Sequence, residues 1–254
     1  MFSHPAIRSI FTGILFIMIG SLFLACNDAA VTEPIDNPNQ VRPIILLQRT
    51  MNNATGQTIN EIRVTLKNTR DEAISIDSGR VLVNGQEMSP PKWYLFGTQR
   101  DYYYLNMPVT SETEYEFTVI SSEGERAYAW VRAPRHNLDQ IIIPEEQNGA
   151  KDLVVNWQET DYEYPQYVII NRMDGLGNYL ESNEKLLYVR YPYKGKFTVN
   201  SRYLSVQDES TGDYNEHRVY VVSENKGALS EGFLEGGSIK CQLRIYQDFH
   251  VYKN

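Results

Sequence analysis

Most of the chain alternates apolar and polar residues with a period of two, and helical periodicity is scarce. Ile62, Val64 and Leu66 alternate with Arg63, Thr65 and Lys67, which predicts a half-buried strand. Arg80-Val81-Leu82-Val83, then Asn84-Gly85, then Gln86-Glu87-Met88 predicts a hairpin, because Asn-Gly accepts the positive φ angles of a two-residue turn. Tyr115, Phe117 and Val119 alternate with Glu114, Glu116 and Thr118. Ser122-Glu123-Gly124 turns the chain, Ala127 to Val131 returns, and Pro134 closes the unit. A second set of strands opens on Leu153, Val155 and Trp157 and continues through Val168-Ile169-Ile170 and Val219 to Val222. Near the end, Ile239, Cys241, Leu243 and Ile245 share one face and Lys240, Gln242 and Arg244 the other. Cys241 is therefore expected in a core rather than as a reactive thiol. The period is lost over 135–150, where Pro144 to Gly149 reads as turns behind an apolar island at Ile141-Ile142-Ile143. The pattern predicts an all-β chain of two tandem β-sandwich domains, 43–134 and 151–254, joined by a connector at 135–150.

The first residues follow a different pattern. Ile10 to Leu24 is almost wholly apolar, behind a short segment charged only at Arg8, and it ends in Phe23-Leu24-Ala25-Cys26. The run is too short to cross a bilayer comfortably, since a spanning helix needs about 20 residues. Residues 1–25 resemble a bacterial lipoprotein signal, whose lipobox ends in Ala or Gly followed by Cys. The resemblance implies cleavage before Cys26, acylation of that residue with chains such as palmitate, and attachment to a membrane through them. The alternative is an ordinary cleaved signal with Cys26 as a bystander. Residues 26–42 hold Pro34, Pro38 and little periodicity, and read as a flexible tether reaching about 50 Å.

A second resemblance lies in the strand residues. Leu153-x-Val155-x-Trp157, Tyr167-x-Ile169-x-Asn171-Arg172 and Val219-x-Val221-x-Ser223-x-Asn225-x-Gly227 look like strands B, C and F of a fibronectin type III domain. His217 stands where that pattern has a tyrosine. The first unit resembles, loosely, the immunoglobulin-like modules of Gram-negative surface lipoproteins. The architecture is similar to accessory lipoproteins that accompany outer-membrane nutrient transporters, some of which bind glycans. It implies a place in the cell envelope, on the outer membrane, and a role in binding or scaffolding.

With 24 basic and 32 acidic residues the net charge is -8, a poor match to nucleic acid or anionic lipid. His136, His217 and His250 stand apart, without zinc-ligand spacing. There is neither a Gly-x-Ser-x-Gly elbow nor a Gly-rich phosphate loop. The acidic stretch 208–216 offers oxygens to calcium but reads better as a hairpin tip. No cofactor, metal site or catalytic residue is expected. The aromatic residues are more informative. In Tyr102-Tyr103-Tyr104-Leu105-Asn106-Met107 the inward set is Tyr103, Leu105 and Met107, which leaves Tyr102 and Tyr104 outward, near Trp93. Outward rings with hydroxyl handles suit a sugar or a protein partner; cross-strand packing is the alternative use. The reading is a non-catalytic binding lipoprotein. Its competitors are an extracytoplasmic glycan hydrolase with loop-borne carboxylates and a purely structural or adhesion module.

Overall fold

The computed structural model describes residues 31–92, 100–135, 140–157, 167–173, 185–188, 195–204 and 216–252. In the N-terminal part the strands are β1 (Val31–Glu33), β2 (Arg42–Asn52), β3 (Thr58–Lys67), β4 (Ala73–Ile76), β5 (Arg80–Val83), β6 (Gln86–Glu87), β7 (Tyr103–Leu105), β8 (Glu114–Ile120) and β9 (Arg126–Arg132). They are followed by β10 (Ile141–Ile142), β11 (Glu146–Asn148), β12 (Leu153–Trp157), β13 (Tyr167–Arg172), β14 (Lys185–Tyr188) and β15 (Lys196–Val199). The last three are β16 (Glu216–Lys226), β17 (Ala228–Leu229) and β18 (Ser238–Tyr252). Among the described residues no helix is long and apolar enough to cross a membrane. The all-β class read from the alternation holds. The hairpin at Asn84-Gly85 forms as expected, with φ of 47° and 78° at the two turn residues.

One large sheet organises the molecule, in the order β1-β4-β3-β2-β18-β16-β13-β14, with β7 on β3 and β11 on β18. A five-stranded sheet, β17-β9-β8-β5-β6, lies against one half of its inner face, and a three-stranded sheet, β10-β12-β15, against the other. The first core joins Ile45, Leu47, Ile62 and Val64 to Val81, Phe117, Val119 and Val131. The second joins Val168, Ile170, Val219 and Val221 to Leu153, Val155 and Trp157. Each core is thus a filling between two sheets.

Strand β18 belongs to both. Ile239, Cys241 and Leu243 complete the first core; Ile245, Phe249 and Val251 complete the second. Its 15 residues extend about 50 Å. One edge pairs antiparallel with β16 along Lys240 to His250. The other is divided: Ser238 to Tyr246 pair parallel with β2, and His250 to Tyr252 pair parallel with β11. The expected span 151–254 is therefore not a self-contained sandwich, because its last segment fills the core of the first unit. Cys241 is buried among those residues, and burial pushes its thiol pKa up to about 12.

Polar side chains interrupt the apolar inner face between the two cores on three of its strands: Ser223 on β16, and Arg49 and Asn60, which pair across β2 and β3. Arg49 thus breaks the apolar sequence Ile45, Leu47, Met51, while Leu243 on β18 keeps the first core apolar up to that line. Gly227, where the chain passes from the large sheet to β17, lies against β9. A Cβ there would collide with the Trp130 carbonyl and stand 2.7 Å from the Val131 side chain, so only glycine fits.

Two other expectations change. Residues 31–42, expected within the tether, are part of the fold: β1 pairs parallel with β4, and Ile35 and Val41 are buried in the first core. Ile35 N–H donates to Ser122 Oγ (3.0 Å), and the Asn37 side chain caps a turn of 3-10 helix over Pro38–Gln40. The apolar residues of this segment find their partners far away in sequence, which its own composition does not reveal. Residues 140–150, expected as connector, supply β10 and β11, and Ile141 is in the second core.

Candidate functional site

β7 lies between β3 and Ser89. Tyr104 pairs with Arg63 on one side and exchanges two 2.9 Å backbone hydrogen bonds with Ser89 on the other. Fixing both edges sets the register, and the register sets the faces. Tyr103 points inward and is 2 % exposed. Its hydroxyl accepts a 2.8 Å hydrogen bond from the Ile76 N–H, and burial raises its pKa. Leu105 and Met107 pack against the same core.

Tyr102 and Tyr104 take the opposite face and are half-buried, their rings edge-on at 6.5 Å. Each has a guanidinium over it: Arg63 lies 5.5 Å from the Tyr102 centroid and Arg100 5.3 Å from that of Tyr104. Arg63 is also 3.3 Å from Glu61, and Arg100 donates to the Pro90 carbonyl (2.9 Å). The arrangement offers flat carbon surface, phenol hydroxyls and cationic edges together. Such groups stack on the C–H face of a sugar and hydrogen-bond its hydroxyls. The two arginines were not singled out from sequence. Alternation sets Arg63 apart from the apolar face of its strand, but its meeting with Tyr104 depends on a pairing some forty residues away in the chain.

Trp93, the third residue expected at this surface, lies outside the described residues, as do Cys26, residues 1–25, His136 and the acidic stretch 208–215. His217 is buried with its ring 5.6 Å from that of Phe249, and His250 is exposed. Among the described residues no group of three His, Cys, Asp or Glu could hold a metal ion.

The outer face of the large sheet carries a second aromatic group. Tyr220 and Tyr246 are 5.5 Å apart, and Arg218 lies 4.1 Å from the Tyr246 centroid while bonded to Asp248 at 2.8 Å. Tyr167 donates to Glu224 Oε2 at 2.7 Å, and burial with the neighbouring carboxylate raises the Tyr167 pKa. Burial works against the Glu224 carboxylate, but hydrogen bonds from Gln242 and Tyr167 outweigh it and hold that pKa below its ordinary value. These groups satisfy one another and hold the sheet. Sequence reasoning also missed Tyr128 and Trp130, which project from β9, Trp130 being 43 % exposed.

Neither a protein-family model nor a curated protein matches the chain. Solved structures similar to the chain include the following two. One is the FN1–FN3 domains of chicken CNTN1, at 12 % identity over 83 % of this chain and 66 % of that one, with a TM-score of 0.20. The other is the SGBP-B of the Bacteroides ovatus mixed-linkage glucan utilization locus in complex with a mixed-linkage heptasaccharide, at 9 % identity over 90 % of this chain and 68 % of that one, with a TM-score of 0.22. This chain spans about two thirds of the length of each.

Proposed function

We propose that this chain is a lipid-anchored protein of the cell envelope with a non-catalytic binding role, its ligand a glycan. The observation that carries the reading is the outward pair Tyr102 and Tyr104, each covered by an arginine, on a strand held from both edges. A rigid aromatic surface binds without the entropic cost of ordering loops. An outer-membrane transporter is the natural partner of such a capture protein, passing the bound glycan inward. Binding of residues 27–254 to an array of bacterial, plant and host polysaccharides tests the role. Retention on at least one class is expected; no retention on any would overturn it.

The anchor is Cys26. Because Val31 is already paired in β1, at most residues 27–30 lie between the anchor and the sheet, a span of no more than about 18 Å. The edge β1-β4 of the large sheet would then stand close to the membrane. The expected outcome is fatty-acid label on the wild type and none on Cys26→Ser, which moves to the soluble fraction. Label on both variants, or a soluble wild type, contradicts the anchor.

A further inference from the structure

The waist between the two cores holds a concavity of about 390 Å³, lined by Arg49, Met51, Thr58, Asn60 and the segment Pro108 to Thr110. Its walls are fixed by hydrogen bonds. Val109 N–H donates to Asn60 Oδ1 (3.0 Å) and Thr110 N–H to the Tyr115 hydroxyl (2.7 Å), while that hydroxyl donates to the Pro108 carbonyl (3.2 Å). The site is therefore formed before any ligand arrives, as small-molecule sites usually are.

Arg49 is the unusual residue in it. It sits on the inward face of β2, half-buried, directly across from Asn60. Among the described residues it has no ion pair, and its one side-chain hydrogen bond is a long one, 3.4 Å from Nη1 to the Val109 carbonyl. Burial lowers its pKa, and the nearby Cys241 is a neutral thiol that supplies no counter-charge. A half-buried guanidinium without an anion is poorly satisfied, and its remaining donors face the concavity's opening, free for a partner. The forked geometry of those donors matches a carboxylate. The rest of the lining divides into an apolar wall, Met51 and Pro108, and hydrogen-bonding groups on Thr58, Asn60 and Thr110, while Val109 contributes its backbone and turns its side chain into the first core. An apolar wall opposite hydroxyl and amide groups suits the two faces of a sugar ring.

We infer that the waist concavity is a second binding site, which takes a sugar acid of uronate type, its carboxylate on Arg49 and its ring between the apolar wall and Asn60. The site does not depend on Tyr102 and Tyr104. The test uses residues 27–254 and free glucuronate, with glucose and acetate as matched probes carrying only the ring or only the carboxylate. At tenfold its Kd, glucuronate is expected to raise the melting temperature by about 3–6 °C. Glucose should leave it unchanged, and acetate should act more weakly than glucuronate at equal concentration. In Arg49→Met the glucuronate shift should vanish while the ligand-free melting temperature stays equal or rises, because an unpaired half-buried charge has been removed. A residue needed only for the fold would lower the melting temperature instead. If that variant does not fold, Arg49→Lys decides: it keeps the charge, loses the fork, and should show a smaller shift. No shift with glucuronate, an equal shift with glucose or acetate, or a full shift in either variant overturns the assignment. Loss of glycan binding at Tyr102 and Tyr104 would leave this result untouched.

Discussion

A fragment ending after the first run of strands, residues 31–135, should not fold. It retains the five-stranded sheet apart from β17 but lacks β18, so β2 presents a long unpaired edge and the first core loses Phe233, Ile239, Cys241 and Leu243. Burying three large apolar side chains contributes roughly 5–9 kcal/mol, the size of the whole stability of a typical domain. The fragment is expected to give a collapsed amide spectrum and no cooperative melt, whereas residues 27–254 give one cooperative transition. A dispersed spectrum and sharp melt from the fragment would show that β18 is not needed by the first core.

The second large effect is at Tyr103. Tyr103→Ala removes a buried ring and leaves the Ile76 N–H without its hydroxyl partner. The expected cost is roughly 3–5 kcal/mol, by analogy with other large aromatic residues cut to alanine. Truncating its neighbours is a different matter. The rings of Tyr102 and Tyr104 are half-buried, and each arginine contact contributes about 0.5–1 kcal/mol at such a site. Urea melts of the variants separate the two cases. Equal losses in Tyr103→Ala and Tyr102→Ala would mean that the two faces of β7 are not distinct.

Alternation made much of this legible. Ile62, Val64 and Leu66, the Asn84-Gly85 turn, the faces of β8 and β9, and the split of Tyr103 from Tyr102 and Tyr104 all follow from local patterns, and each is where the pattern puts it. Ile239 to Ile245 was equally legible as a strand, and Cys241 as a buried residue. Its neighbour was not. Parallel pairing of β18 with β2 joins residues almost two hundred positions apart, with no turn between them to announce it. The same holds for β1 on β4: three residues and two isolated apolar side chains carry no period, yet the distant edge gives them partners. The functional surface was half legible. The rings could be placed outward from period two, but the arginines over them come from β3 and from the bridge between Lys92 and Arg100.

The claim that this outward pair is the binding surface is tested most directly by affinity electrophoresis in gels containing a polysaccharide that retards the wild type. Tyr102→Ala combined with Tyr104→Ala should migrate as if no polysaccharide were present, while its melting temperature stays near that of the wild type. Tyr128→Ala combined with Trp130→Ala, a matched pair of outward rings on the other sheet, should remain retarded. Full retardation of the Tyr102 and Tyr104 variant would contradict the account.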